Sequence, residues 1–486
     1  MDRNCVCLRS GKRGKMTDKQ SLQRDNRRKM MLEEKMIRVI PKVAIPMIIS
    51  TLIDSIYNLA DTFFVSQLGK NATAAVAVND SLMHILRAIS MGFAVGASSY
   101  ISRLMGAKED DKASKVASTT LISGCVFSFV FAIFCFILRS PLVDMLGVTE
   151  GAKQYSMDYA TYILLASPFT TANTIMNQLL RSEGSTTYAM IGTVSGCFLN
   201  IILDPIFINV LGLEVAGAAM ATAISKVFSF MVLALPFIRK KAMIELKVKN
   251  FSFNMDTMYE VCKMGIPTFI RMSLMSVGGI ITNNVAKGFG TSVLAAVSIA
   301  NKLNRFINSA IMGFSQGFGP VAGYCWGAKK YSRVREAFRT TAMIGSVCAL
   351  VIGGGMFIFA EQLIDVFNSE ADMVITTLGA FKVRSLCLVL IPHIMVMITS
   401  NLYQSLGLPV GNLVLSMSRQ LLVLIPILLT LPRFFGEYGL AGAQALSDFI
   451  SFAFLAVPLL WNLMRKIKKL NDGEDAPFGS VKARRR

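Results

Sequence analysis

Twelve long apolar stretches recur along this chain, more than any soluble core could bury. They lie near residues 43–66, 75–102, 116–138, 157–179, 187–211 and 214–238, then near 263–287, 293–325, 337–360, 378–404, 411–431 and 438–464. A helix that crosses bilayer hydrocarbon needs about 20 apolar residues, and each stretch supplies them. Hydrophobic residues make up 53% of the 486 and charged residues only 16%, against about 25% charged in ordinary soluble domains. The sequence predicts an all-α integral membrane protein with twelve transmembrane helices.

A net charge of +20 would suit nucleic acid if it formed one patch. Instead it sits in the tails and in alternate loops: "RDNRRK" before the first span, "RKIKK" and "ARRR" after the last, and the basic loops at 103–115, 239–249 and 327–339. The intervening loops are nearly free of Lys and Arg, and residues 361–377 contain none. Lys and Arg collect on cytoplasmic loops, so both termini are expected inside, which an even number of spans allows. The charge then reads as a solvated face turned to anionic lipid, and nucleic acid is not an expected partner. The start lacks the short apolar core and small-residue cleavage site of a signal peptide, so the first span is expected to direct its own insertion. Residues 1–30 read as disordered, with Met16 and Met30 as alternative starts. The nine cysteines are mostly single and read as small core residues; Cys5 and Cys7 have the wrong spacing for a zinc knuckle.

An internal repeat sets the architecture. "KVAIP" at 42–46 returns as "KMGIP" at 263–267, a shift of 267 − 46 = 221. Gly69 with "AAV" at 74–76, "MGF" at 91–93 and "GAK" at 106–108 all recur at the same shift. Later "LLRSEG" (179–184) answers "LYQSLG" (402–407), and "VAGAA" (215–219) answers "LAGAQ" (440–444). The chain therefore divides into a basic cytoplasmic tail (1–42), an N-lobe of six spans (43–238), a cytoplasmic linker (239–262), a C-lobe of six spans (263–464) and a second basic tail (465–486). Two like halves of equal orientation imply a pseudo-twofold axis along the membrane normal, an arrangement used by secondary transporters that rock two bundles around a central cavity.

Intramembrane carboxylates mark the candidate site. Asp54, Asn58 and Asp61 are spaced by four and three, so they share one helical face. A charge at mid-bilayer costs at least about 2.5–3.5 kcal/mol, and such groups usually face a wet cavity. Asn200 and Asp204 are four apart in "LNIILDPIFI", and Pro205 bends the helix and frees backbone carbonyls. Carboxylate, amide and carbonyl oxygens suit a small cation or a proton. Thr222 follows on a helix lined with small residues. The structural alternative is hydrogen bonding within the bundle, or, for Asp61, reach to the interface. At the shift of 221 the C-lobe has Thr282 for Asp61 and Ile425 for Asp204; its main buried acid, Asp448, has no partner visible in the sequence. His84, Arg87, Lys226, Arg271, Arg305 and Arg384 divide between buried pairing or snorkelling and a place on the transport path. Two histidines and no G-x-x-x-x-G-K-[ST] loop argue against an enzyme or a nucleotide-driven pump.

"YNLADTFFVSQLG", "LLRSEG", "LNIILDPIFI" and "GAAMATAIS", in this order within a duplicated twelve-span chain, resemble the MATE family (multidrug and toxic compound extrusion), in particular its DinF-like and MepA-like branch, over roughly residues 38–464. The resemblance implies two pseudo-twofold-related six-helix bundles in a bacterial cytoplasmic membrane. It implies a monomeric antiporter that exports amphipathic organic cations in exchange for Na⁺ or H⁺, with no further cofactor. It places the coupling cation at Asp61, Asn200 and Asp204, completed by Thr222 and the backbone carbonyl of Ala218; Asp54 and Asn58 are an auxiliary polar face to which it gives no role. A branch with acidic coupling residues in the C-lobe is disfavoured by their absence at the matching positions. The alternative is a lipid-linked oligosaccharide flippase of a related superfamily, which would bring Arg87, Arg271 and Arg305 together in one cavity.

Overall fold

The computed structural model describes residues 18–145, 148, 150–368, 372–474 and 476; Cys5, Cys7, Met16 and the closing arginines lie outside the described residues. All regular structure among them is helical. Helix α1 (Asp18–Leu32) leads into α2 (Met36–Ser66), α3 (Lys70–Gly106), α4 (Asp110–Ile137), the short α5 (Arg139–Met145), α6 (Glu150–Ser182), α7 (Thr186–Pro205) and α8 (Glu214–Ile238). The second half contains α9 (Met255–Lys287), α10 (Thr291–Gly327), α11 (Tyr331–Ile358), the short α12 (Ala360–Asp365), α13 (Met373–Leu388), α14 (Leu390–Ser405), α15 (Pro409–Met417), α16 (Ile425–Ile450) and α17 (Val457–Lys468).

These helices make twelve spans. Helices α13 and α14 meet at a 53° bend and cross as one. Helix α15 continues through a π-helical segment, Ser418–Leu424, into α16, and α16 through another, Ser451–Ala456, into α17. Within α16, Gly436 (φ 58°) turns the chain from the eleventh span to the twelfth, in a backbone region that favours glycine. Length and apolarity alone single out eight spans, or nine with the bent pair. The rest are masked because residues 409–468 run on as one apolar stretch, and because α6 and α10 carry polar side chains such as Asn173, Asn177, Lys302 and Arg305.

Helices α3 and α10 have 37 residues each. At 1.5 Å per residue that is about 55 Å, well beyond the ~30 Å hydrocarbon layer. Their protruding ends cross in backbone contact. A Cβ at Gly106 would lie 2.1 Å from the carbonyl oxygen of Tyr324, and one at Gly327 would lie 1.9 Å from that of Arg103. Both glycines begin the repeated "GAK", so the duplication appears here as a reciprocal crossing that joins the lobes. Nearby, Gly96 lets α3 approach the Val261 carbonyl of α9. Deeper in, Thr51 of α2 donates to the Ser309 carbonyl of α10 (2.8 Å), and the Ser55 and Ser309 hydroxyls are 2.6 Å apart. Beyond that level no hydrogen bond or ion pair joins the lobes among the described residues. One end of the bundle is fastened by hydrogen bonds; toward the other end Arg305 of α10 faces Asp80 of α3 only electrostatically.

The fastened end carries both tails. Residues 18–32 form α1 rather than the disordered segment expected of so basic a stretch, because the arginines find partners. Both Asp110 carboxylate oxygens accept from Arg28 at 2.6 Å, and Arg28 Nε donates to the Tyr324 hydroxyl at 3.2 Å, so this one side chain touches both lobes. Arg27 donates to Glu183 (3.1 Å) and Arg24 to the Met243 carbonyl (2.8 Å). Met30 and Met31 are buried between them. At the other terminus, Asp472 accepts from the Ser332 backbone N–H (2.9 Å) at the start of α11.

Candidate functional site

Helix α7 ends at Pro205, whose missing N–H removes one rung of the ladder. The backbone widens there into a π-helical segment, Ile206–Val210, such as often interrupts a helix at functional positions. This is the loosening expected beside Asp204. Helix α8 packs closely on the segment: a Cβ at Gly217 would lie 2.7 Å from the Phe207 carbonyl oxygen. Asn200, Asp204, Ala218 and Thr222 are all brought together in the interior of the N-lobe, each buried. Helix α2 packs against α7 and α8 and carries Asp61 to the same place.

The hydrogen bonding is incomplete in one direction only. Asn200 Nδ2 donates to Asp204 Oδ1 at 3.2 Å and to Thr222 Oγ1 at 3.3 Å. Its own Oδ1, Asp204 Oδ2 and Asp61 Oδ1 are buried and accept nothing. Buried polar atoms are nearly always partnered, so three unfilled oxygens in one pocket ask for a positive group. The two carboxylates repel one another across it. Among the described residues no group of three or more His, Cys, Asp or Glu forms a metal site. Two carboxylates, an amide and a hydroxyl suit a hard monovalent cation or a proton better than a transition metal.

Asp54 and Asn58 do not belong to the pocket. Asp54 faces Arg87 of α3 at 3.8 Å, and Asn58 Nδ2 donates to the Asp54 carbonyl of its own helix at 2.5 Å. Three further residues adjoin the site: Tyr57, four before Asp61 on α2, Lys226, four after Thr222 on α8, and Asp80 of α3, which spacing along these helices does not reveal. The Tyr57 ring is buried with the Lys226 ammonium 5.4 Å from its centroid, and its hydroxyl bonds Thr222. Asp80 of α3 and Lys226 both act electrostatically on Asp61. Asp80 is itself close to His84, Arg87 and Arg305. Its spacing of four and three from His84 and Arg87, a charged stripe inside an apolar run, is the sequence signal that would have marked it.

In the C-lobe, Asp448 is closely partnered. Arg419 donates to it through Nε (2.5 Å) and Nη2 (3.3 Å), and Gln444 Nε2 through a 3.2 Å bond. His393 Nδ1 lies 3.4 Å from Oδ2. Arg271 lies near Arg419, whereas Arg87 and Arg305 face Asp80; the three arginines do not form the single cluster that a flippase would need. Arg384 pairs with Glu361 at 3.0 Å on the surface.

With this geometry in view, comparison with known proteins is consistent throughout. The MatE family model matches residues 46–206 and 267–430, one block in each lobe. The multidrug export protein MepA of Staphylococcus haemolyticus is 27% identical over 440 residues, covering 90% of this chain and 95% of that protein. A crystal structure of a MATE protein in complex with MaL6 superposes with a TM-score of 0.86 at 26% identity, covering 91% of this chain and 98% of the other. An outward-facing multidrug resistance MATE family transporter of the MOP superfamily gives 0.85 at 26% identity, over 94% and 99%.

Proposed function

Because the chain belongs to the MatE family of multidrug efflux transporters, we propose that it is a secondary antiporter that exports amphipathic organic cations in exchange for Na⁺ or H⁺. The observation that carries this reading is the pocket of three unpartnered oxygens from Asp61, Asn200 and Asp204. Two buried carboxylates that face each other are costly without a neutralising charge, so the pocket is built to be filled and emptied.

Helix α2 supplies the coupling. It contributes Asp61 to the pocket and, about two and three turns away, Ser55 and Thr51 to the bonds with α10. A cation or proton that relieves the repulsion between Asp61 and Asp204 draws α2 toward α7 and α8, and the same movement loads the lobe interface. Ion and drug need only bind the two orientations of the cleft with different affinity to drive each other. With the basic loops and both tails cytoplasmic, the fastened end is the inner gate and this arrangement is outward-open. One chain supplies both lobes and so acts as a monomer in the bacterial cytoplasmic membrane.

The test is transport in liposomes. A fluorescent organic cation is followed while a Na⁺ or a pH gradient is imposed separately. Movement driven by one gradient, and lost in both Asp61→Asn and Asp204→Asn, is the expected result and names the ion. Full activity in both variants would sink the coupling site, and no movement under either gradient would sink the exporter reading for that dye.

A further inference from the structure

The C-lobe contains an unbalanced charge. Arg271 sits midway along α9 (Met255–Lys287), at the depth where an ionisable side chain is a functional candidate by default. It shares a helical face with Pro267 and Gly278, four residues before and seven after it, both buried. A Cβ at Gly278 would lie 2.8 Å from Oε1 of Gln420, so this face is pressed onto the π-helical segment 418–424. Arg271 is thereby directed into the lobe, yet it keeps partial solvent exposure.

No acid balances it. Among the described residues Arg271 makes no ion pair within 4.0 Å, and the charged group that acts on it is another guanidinium, Arg419. Arg419 is itself spent on Asp448 through two donors, and that carboxylate also accepts from Gln444 and adjoins His393. The junction of α9, the π-helical segment, α14 and α16 thus holds two guanidinium groups and one saturated carboxylate. One positive charge is left over, on a side chain that its neighbours only partly cover.

We propose that this junction binds a single anionic group, the size of a carboxylate, carried by the transported molecule. A planar guanidinium is suited to take a carboxylate through two parallel N–H bonds. The substrate class that follows is a zwitterion whose cationic end is drawn to the acid-rich N-lobe and whose carboxylate is held by Arg271. This rests on the exporter reading and narrows it.

The probe is a matched pair: tetramethylrhodamine, which carries a free carboxylate, and its methyl ester, which does not. Binding of each to the purified full chain is measured by fluorescence anisotropy. The wild type is expected to bind the acid about tenfold more tightly than the ester. Arg271→Gln is expected to erase that preference while the ester affinity stays within about twofold, and Arg271→Lys to keep part of it. Should Arg271→Gln fail to fold, wild-type competition decides: benzoate displaces the acid dye but not the ester, and benzamide displaces neither. Equal binding of acid and ester, equal weakening of both by Arg271→Gln, displacement by benzamide, or binding of neither dye would each overturn the proposal. An ester that is exported without any acid preference ends this inference and leaves the exporter reading intact. An acid preference without gradient-driven export does the reverse.

Discussion

The two lobes place polar clusters between corresponding helices and finish them differently. In the N-lobe, α2, α7 and α8 surround two carboxylates whose outer oxygens accept nothing. In the C-lobe, α9, α15–α16 and the second part of α16 surround one carboxylate that is closely partnered by Arg419, Gln444 and His393. A duplicated scaffold therefore does not carry a duplicated chemistry. The repeat shows where a buried charge can be accommodated, and the hydrogen-bond account shows whether it is structural or waiting for a ligand. On that account we propose opposite roles for Asp204 and Asp448, both almost fully buried.

Exchanging each acid for its amide separates the roles. Asp204→Asn is expected to cut gradient-driven dye movement to the level of empty liposomes while the protein still folds, because the bond from Asn200 to Thr222 does not depend on it. Asp448→Asn is expected to do the opposite. It strands Arg419 beside Arg271, and breaking a buried pair from one side costs about 3–5 kcal/mol. Thermal unfolding in detergent should show a large fall for Asp448→Asn and little change for Asp204→Asn. If the two unfolding midpoints fall alike, the distinction between a structural and a functional carboxylate is wrong.

Much of this contrast could be read from the sequence, for identifiable reasons. Reading the long apolar stretches placed twelve spans, and the repeat divided them six and six; strict length and apolarity resolve eight or nine, because that measure is sensitive to the polar faces of α6 and α10. Asn200, Asp204 and Pro205 form a local pattern, and helical spacing was enough to put the first two on one face. What spacing does not encode is pairing between distant helices. Asp448 finds Arg419 across 29 residues, and Tyr57 and Lys226 meet only once α2 lies against α8. Asn58 shares the face of Asp61 yet turns to its own backbone, a competition that short polar side chains often win. The tail failed for the same reason: Arg28 looks solvated until α3 and α10 cross and place Asp110 and Tyr324 together.

The crossing itself offers the next test, since it fastens both lobes at one end. Gly327→Ala would set a Cβ 1.9 Å from the Arg103 carbonyl. Overpacking of this kind typically costs about 1–3 kcal/mol, here charged to the closed gate alone. The expected result is faster thiol labelling of a cysteine placed at the gate, with the N-lobe pocket and its ion dependence retained. Unchanged labelling would mean that the crossing is not what holds the gate shut.

The smallest effect belongs to the tails, which dock on corresponding helix starts with opposite polarity. Helix α4 begins at Asp110 and α11 at Tyr331, one repeat apart. In the N-lobe the tail supplies a cation, Arg28, to an acid at the helix start; in the C-lobe it supplies an acid, Asp472, to Ser332. Slight burial pushes the Asp472 carboxyl up, but hydrogen bonds from the Ser332 hydroxyl and backbone outweigh it, and the group ends below the usual carboxylate range. A depressed folded value means that the ionised contact contributes fully above the unfolded pKa, about 3.9, and is lost as pH falls through the folded one. Docking of the C-terminal segment should therefore be constant across neutral pH and weaken only in strong acid. Because Asp472 is largely exposed, Asp472→Asn should cost under about 1 kcal/mol. Hydrogen exchange at the Ser332 amide reads it directly: exchange should quicken modestly in the variant at neutral pH, while the protection around α1 stays as it was. If exchange near α1 quickened as well, the two tails would form one coupled clasp across the lobes rather than two independent caps.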